Sequence, residues 1–193
     1  MDPEVFNLSP MEAGFGHIAN EFGSYLRNVT LPILVRRSSQ LLFDAFAFFS
    51  LEALQQFQIQ SAYLAWGIAS ISNAGGLLQV GVINEALSAS DAMLFAAIGA
   101  ATPLAADIPV VGPQATDLAS VIDVLQASAQ AGGAIGLGWS YEFGAGTRQC
   151  TLDEPQLIIE ATPTFNLATM GSAAMFMFKA ARRRRRRGRR RRR

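Results

Sequence analysis

Gln56-Phe57-Gln58-Ile59-Gln60-Ser61, continued by Tyr63, Leu64, Trp66 and Ile68, is the stretch that decides the fold. Polar and apolar residues alternate with a period of two, and the apolar set is rich in aromatic and β-branched side chains, so the stretch reads as a strand. Ser72-Asn73-Ala74-Gly75-Gly76 follows, supplying residues that accept the positive φ of a reversal, and Leu78, Val80 and Val82 then alternate with Gln79, Gly81 and Ile83. The expectation is a β-hairpin within Gln56 to Asn84.

Toward the C-terminus, Trp139, Tyr141 and Phe143 share one face of an expected strand. Leu157 to Phe165 reads as another, with Glu160 and Thr162 turned away from Leu157, Ile159 and Ala161, and Met175 to Lys179 as a last one. Between these and the hairpin, Leu118, Val121, Ile122 and Leu125 recur at helical spacing behind Thr116. That spacing predicts a helix of about three turns, capped by Thr116 and ended by Gly132 and Gly133.

Toward the N-terminus, Thr30 to Ser50 is strongly apolar, with a break at Ser38 to Gln40, and its period does not separate helix from strand. Residues 1–29 carry Pro3, Pro10, Gly14, Gly16 and Gly23 among scattered Phe and Ile, the pattern of an irregular arm or short helical piece packed on a neighbour. Short strands divided by Gly, Pro and Asn turns, without a regular strand-helix alternation, indicate a mainly β body. The expected organisation is an N-terminal arm over 1–29, a β-sandwich with one or two short helices over 30–181, and a disordered arm over 182–193.

The chain has 193 residues with 16 Lys and Arg, 15 Asp and Glu, and a formal net charge of +1. That total conceals a separation. Eleven arginines occupy the last twelve positions: Arg182, Arg183, Arg184, Arg185, Arg186, Arg187, Arg189, Arg190, Arg191, Arg192 and Arg193, with Gly188 between. Five cations (Arg27, Arg36, Arg37, Arg148, Lys179) against fifteen acids leave the first 181 residues at −10.

Arginine stays charged at any biological pH, and its planar fork donates two parallel hydrogen bonds to phosphate oxygens. A run without apolar side chains cannot fold alone, and it grips phosphate without reading sequence. These eleven arginines are the candidate nucleic-acid-binding residues, weighed against a localisation-like signal, an appended tag and an arm folded back on its own acidic body.

Other chemistry is sparse. Single Cys150 excludes an internal disulfide framework or a cysteine-based metal cluster, and with His17 as the only histidine most zinc and histidine-dependent schemes fall away. Gly14-Phe15-Gly16-His17 looks like the start of a glycine fingerprint but lacks a βαβ setting, and Asp153-Glu154 before Pro155 reads as a turn. Asn28-Val29-Thr30 matches a glycosylation acceptor. An enzyme, a cofactor and a metal are not expected. The first ten residues lack a basic region followed by an apolar run, so cytosolic synthesis is expected. Ala92 to Ala106 contains Pro103 and falls short of the roughly 20 apolar residues of a spanning helix.

A mainly β body of this length with no catalytic kit and an arginine-rich terminal arm resembles the coat proteins of small icosahedral viruses. The resemblance rests on Gln56 to Asn84, Trp139 to Phe143, Leu157 to Phe165 and Arg182 to Arg193. It implies a jelly-roll sandwich that self-assembles into a shell, subunit contacts from residues 30–181, and an arm facing the lumen that packages DNA or RNA non-specifically. The chain would then reside in the virion after synthesis in the host cytoplasm, with the nucleus as a further compartment. The competing expectations are a soluble, non-shell nucleic-acid-binding module and a membrane-associated virion or surface protein using Ala92 to Ala106.

Overall fold

The computed structural model describes residues 2–73, 76–142 and 146–164. In chain order they form β1 (Glu4–Leu8), β2 (Phe15–Glu21), β3 (Ser24–Asn28), β4 (Ile33–Arg37), β5 (Leu41–Ser50), β6 (Phe57–Asn73), β7 (Leu78–Ile83), α1 (Asp91–Gly99), β8 (Pro103–Asp107), β9 (Gly112–Asp117), α2 (Ile122–Gln130), β10 (Ala134–Tyr141) and β11 (Arg148–Pro163). Single 3-10 turns, Glu52–Leu54 and Ala119–Val121, precede β6 and α2. The body is mainly β, as the alternation predicts.

Where two sheets facing each other were expected, the strands join in one antiparallel sheet, ordered β8-β7-β10-β5-β4-β11-β6-β9. It folds over at the β4–β5 corner, where only Arg36↔Phe43 and Arg37↔Leu42 are paired, and its end strands β8 and β9 approach each other. The result is a nearly closed barrel. The pairing along it is nested: β4 with β11, β5 with β10, β6 with β9, β7 with β8.

Both strands of the expected hairpin exist, but they do not pair. β6 bonds β11 and β9, and β7 bonds β10 and β8. The β8–β9 segment, later in the chain, takes the edges that a hairpin would have joined. A turn composition at 72–76 specifies a reversal and leaves open which partners the two strands finally take.

Residues 4–28 are three strands and not an irregular arm. β1 pairs with β11 over Leu157–Ala161, while β2 pairs with β5 and carries β3 outside it. Of the Gly and Pro residues that suggested irregularity, Pro10, Gly14 and Gly23 sit between short strands, Pro3 precedes β1 and Gly16 lies within β2. At the β2–β3 turn Phe22 (φ 51°) and Gly23 (φ 87°) are both left-handed.

Ser38 closes the β4–β5 turn as expected: its hydroxyl accepts from the Leu41 amide at 3.0 Å and its own amide donates to the Leu41 carbonyl at 3.1 Å. Asp153-Glu154-Pro155 is not a turn. It lies within β11 at a register shift, Asp153↔Gly67 followed by Gln156↔Ala65. A bulge admits a proline that regular pairing would reject.

On β10, Ile135, Leu137, Trp139 and Tyr141 point into the barrel and are all buried, confirming the shared face of Trp139 and Tyr141. Phe143, Phe165 and Met175 to Lys179 lie outside the described residues. Leu157, Ile159 and Ala161 of β11 and Ile59, Leu64 and Ile68 of β6 complete this interior with Ile33, Val35 and Phe49. Each large apolar side chain withdrawn from water here contributes about 1.5–3 kcal/mol before entropy is counted.

α2 closes one end of the barrel. Leu125 and Ala129 enter the core, and Gln126 bridges the edge of β6, accepting from the Ile59 amide at 2.8 Å and donating to the Phe57 carbonyl at 3.0 Å. Gly132 (φ 65°) and Gly133 end the helix as predicted, their amides donating to the Ala129 and Ser128 carbonyls at 2.9 and 2.8 Å. Thr116 is not its cap. It is buried in β9, where its hydroxyl accepts from the Trp66 indole at 3.2 Å, and Asp117 instead accepts from the Ala119 amide at 2.9 Å.

α1, which sequence periodicity did not reveal, covers the outside of the sheet. Its Leu94 and Ile98 bury against Ile18, Phe46, Phe48 and Ile83. β10 has Gly138 on this outer face because a Cβ there would lie 2.9 Å from Ile98. β5 is therefore buried on both faces, which accounts for its continuous apolar text. Among the described residues no helix is long and apolar enough to cross a membrane, and Ala92 to Ala106 divides between α1 and β8.

Candidate nucleic-acid interface

Phosphate recognition needs several cations converging on one surface. The described body holds four arginines, and three are bonded to acceptors of the body itself. Arg27 donates to Asp91 Oδ1 at 2.8 Å and to the carbonyls of Leu87 and Ala89 at 2.7 and 2.8 Å, with its guanidinium 5.6 Å from the centre of the Phe46 ring. It pins the segment before α1 onto β3.

Arg148 donates to the Glu142 carbonyl at 2.8 Å. Arg37 is buried and reaches Asp44 Oδ1 at 3.5 Å. Burial drives the Asp44 carboxyl up to about 7 against the pull of the Arg37 guanidinium beside it. Removing a carboxylate from water costs more than one imperfect ion pair returns.

Arg36, Arg37 and Arg148 share one end of the barrel, since Arg148 pairs with Arg37 and Gln149 with Arg36 in register. The opposite end is acidic. Exposed Glu4, paired with Ala161, and exposed Glu52, in the turn before β6, lie toward the point where β11 finishes, Pro163 opposite Phe57. Arg182 to Arg187 and Arg189 to Arg193, the candidate binding residues, lie outside the described residues.

The remaining chemical candidates are structural. His17 is buried on β2, its Nδ1 accepting from the Leu34 amide at 3.3 Å and its ring edge-on to Phe43. Burial lowers its pKa. Gly16 leaves no room for a side chain, because a Cβ would meet the Asn28 carbonyl and Phe46 at 2.9 Å or closer, so the glycines before His17 serve packing. Cys150 is buried beside Tyr141, and burial pushes its thiol up to about 11, which removes the thiolate a nucleophile requires. Asn28 accepts from the amide and hydroxyl of Thr30 at 2.9 and 2.7 Å, a local turn lock. Among the described residues no group of three His, Cys, Asp or Glu side chains could hold a metal ion.

The phenylalanines divide. Phe46, Phe48 and Phe49 fill the core, whereas Phe22 is 80% exposed. Sequence reasoning passed over one further feature, the run Ile108-Pro109-Val110-Val111 between β8 and β9, whose Ile108, Val110 and Val111 stand in solvent. Four apolar residues beside an acid and a glycine were its signal. No protein-family model and no curated protein matches the chain.

Proposed function

We propose that the chain is a coat protein whose body self-assembles into a shell and whose arginine terminus packages nucleic acid without sequence preference. The observation that carries this reading is the nested pairing of β4 to β11. It is the order produced when a long antiparallel ribbon, reversing between β7 and β8, is rolled so that β4-β11-β6-β9 and β5-β10-β7-β8 lie over a common core. That order supports reading the barrel as a jelly roll of two Greek keys, an architecture shared by viral shells, lectins and cupins.

Fold alone does not choose among those three. The charge does. The body has three of its four described arginines bonded within its own structure, no metal-ligating cluster among the described residues, and a net acidic composition, while +11 is held in twelve terminal residues. A cupin needs metal ligands, and a lectin has no use for a polycation. Virion localisation, homo-oligomeric assembly and a DNA or RNA partner follow from this reading.

The test is size-exclusion chromatography and negative-stain microscopy of the full chain and of a chain ending at Ala181, each with and without RNA and single-stranded DNA. Large uniform particles that depend on the terminus and on nucleic acid are expected. A full-length monomer that binds RNA in a salt-sensitive way would replace the shell with a soluble binding module. Dependence on detergent would point to membrane association.

A further inference from the structure

Asp44 is the one fully buried carboxyl among the described residues, and it lies beside the shortest ladder in the sheet. β5 is laddered to β10 from Ala45 to Ser50 and to β2 from Leu41 to Ala47, whereas its link to β4 is confined to Arg36↔Phe43 and Arg37↔Leu42. The turn between β4 and β5 rests on Ser38, whose amide and hydroxyl both engage Leu41.

Alternation along β5 puts Asp44 on the outer face with Phe46 and Phe48, opposite Ile18 of β2. Little there could carry a negative charge. Arg37 of β4 reaches Oδ1 at 3.5 Å, beyond the length of a strong charged hydrogen bond, and Oδ2 has no hydrogen-bond partner. Arg37 also makes a further interaction, so Asp44 does not have that guanidinium to itself.

The other charged and titratable groups of the surrounding strands are directed elsewhere. Arg36 of β4 pairs with Phe43 on the opposite face, where His17 of β2 also lies, edge-on to the Phe43 ring. Arg148 of β11, across from Arg37, donates to the Glu142 carbonyl. Arg27 of β3, in register with Ile18, is bonded to Asp91 of α1 and to the Leu87 and Ala89 carbonyls. From β10, Ser140 follows Trp139, the partner of Ala45, and brings no charge.

A neutral carboxyl tolerates this setting and an ionised one does not. A buried charge with a single imperfect partner gains stability when the structure admits water to it. Proton loss therefore acts on the nearest joint that yields, and the short β4–β5 ladder is that joint.

We infer that Asp44 is a proton-operated latch: protonated, it lets the β4–β5 corner stay shut, and on ionisation residues 36–41 swing off β5 while the ladders to β2 and β10 hold. The latch goes beyond the coat reading and does not depend on it.

The experiment follows the full-length chain, free of nucleic acid, by amide hydrogen exchange read peptide by peptide and corrected for the intrinsic pH dependence of exchange. In the open corner the carboxyl returns to its ordinary 3.8, against about 7 when shut. Each pH unit between those values favours the open form about tenfold, and above them the two forms titrate alike. The open population over residues 36–41 should rise accordingly and level off above about pH 7, while residues 134–141 stay protected throughout.

Asp44→Asn should hold the corner shut at every pH. Should that variant not fold, Arg37→Gln decides: without the opposing cation Asp44 keeps its proton to higher pH, so the levelling point should move upward. A flat wild-type profile, a slope that survives in Asp44→Asn, or a levelling point unmoved by Arg37→Gln would each overturn the latch. Equal rises over 36–41 and 134–141 would overturn it as well, because the loss would then belong to the whole barrel.

Discussion

The folded body and the last twelve residues are opposite solutions within one chain. From β1 to β11 the sequence holds only four arginines, and at least three of these are bonded within the body, so its structure rests on burial in the barrel and beneath α1. The terminus has eleven arginines and no apolar side chain. The difference teaches that packing and polyanion binding are assigned to separate stretches, and that each should be removable without damage to the other.

Deleting Arg182 to Arg193 tests that separation with the largest effect. Retention of RNA and DNA at low salt should vanish while thermal stability stays unchanged. In the intact chain, log K against log salt should have a slope of about −8 to −10 if every arginine meets a phosphate. A truncated chain that melts earlier, or still binds nucleic acid, breaks the comparison. From the other side, Trp139→Ala should destabilise the body by about 3–5 kcal/mol in urea unfolding and leave the salt slope untouched. Trp139 is fully buried in the barrel, so the loss would be of packing alone.

The barrel interior was far more legible in the sequence than its exterior. β6 and the second half of β11 bury one face each, and β10, buried on both, has only Gly136, Gly138 and Ser140 on its outer face, so the large inward residues of all three repeat every second position and can be read directly. β5 buries both faces, under α1 outside and β10's neighbours inside, and its text from Phe43 to Phe49 loses the alternation for that reason. α1 itself is apolar nearly all round, with Met93 exposed and Leu94 buried, and gave no period to detect. The hairpin and the Asp153-Glu154 turn failed for one shared reason, because local composition marks a bend or bulge while the partner strand comes from a distant part of the chain. The binding terminus needed only a count of charge, but the exposed Phe22 and Ile108 to Val111 could be separated from core residues only once the strands were placed.

The buried pair at the barrel's cationic end sharpens the comparison, since it is a charge inside the packed region. The Asp44 carboxyl has an ordinary value of 3.8 and stands near 7 in the fold. Between those values the folded chain keeps a proton that the unfolded chain has released, so the stability contributed by the protonated carboxyl is complete below 3.8 and is lost as pH rises through about 7. His17 acts in the opposite sense. Its pKa falls below 6.5 on burial, so the stability of its neutral ring is present above 6.5 and is lost as pH falls through the lower folded value. Asp44→Asn should therefore flatten the fall in melting temperature between pH 3.8 and about pH 7 and expose the opposing His17 limb. An unchanged profile in circular dichroism melts would mean that Asp44 is ionised in the fold.

The smallest effect separates the observed helix cap from the expected one. Ser90 accepts from the Met93 amide at 3.3 Å at the start of α1, so Ser90→Ala should cost about 1 kcal/mol. Thr116→Ala would weaken α2 if Thr116 were its cap. In the fold its hydroxyl instead satisfies the Trp66 indole, whose ring lies 5.9 Å from that of Trp139. The substitution should therefore change tryptophan fluorescence and leave helical circular dichroism at native strength. Loss of helical signal from Thr116→Ala, with Ser90→Ala silent, would reverse the assignment of the two caps.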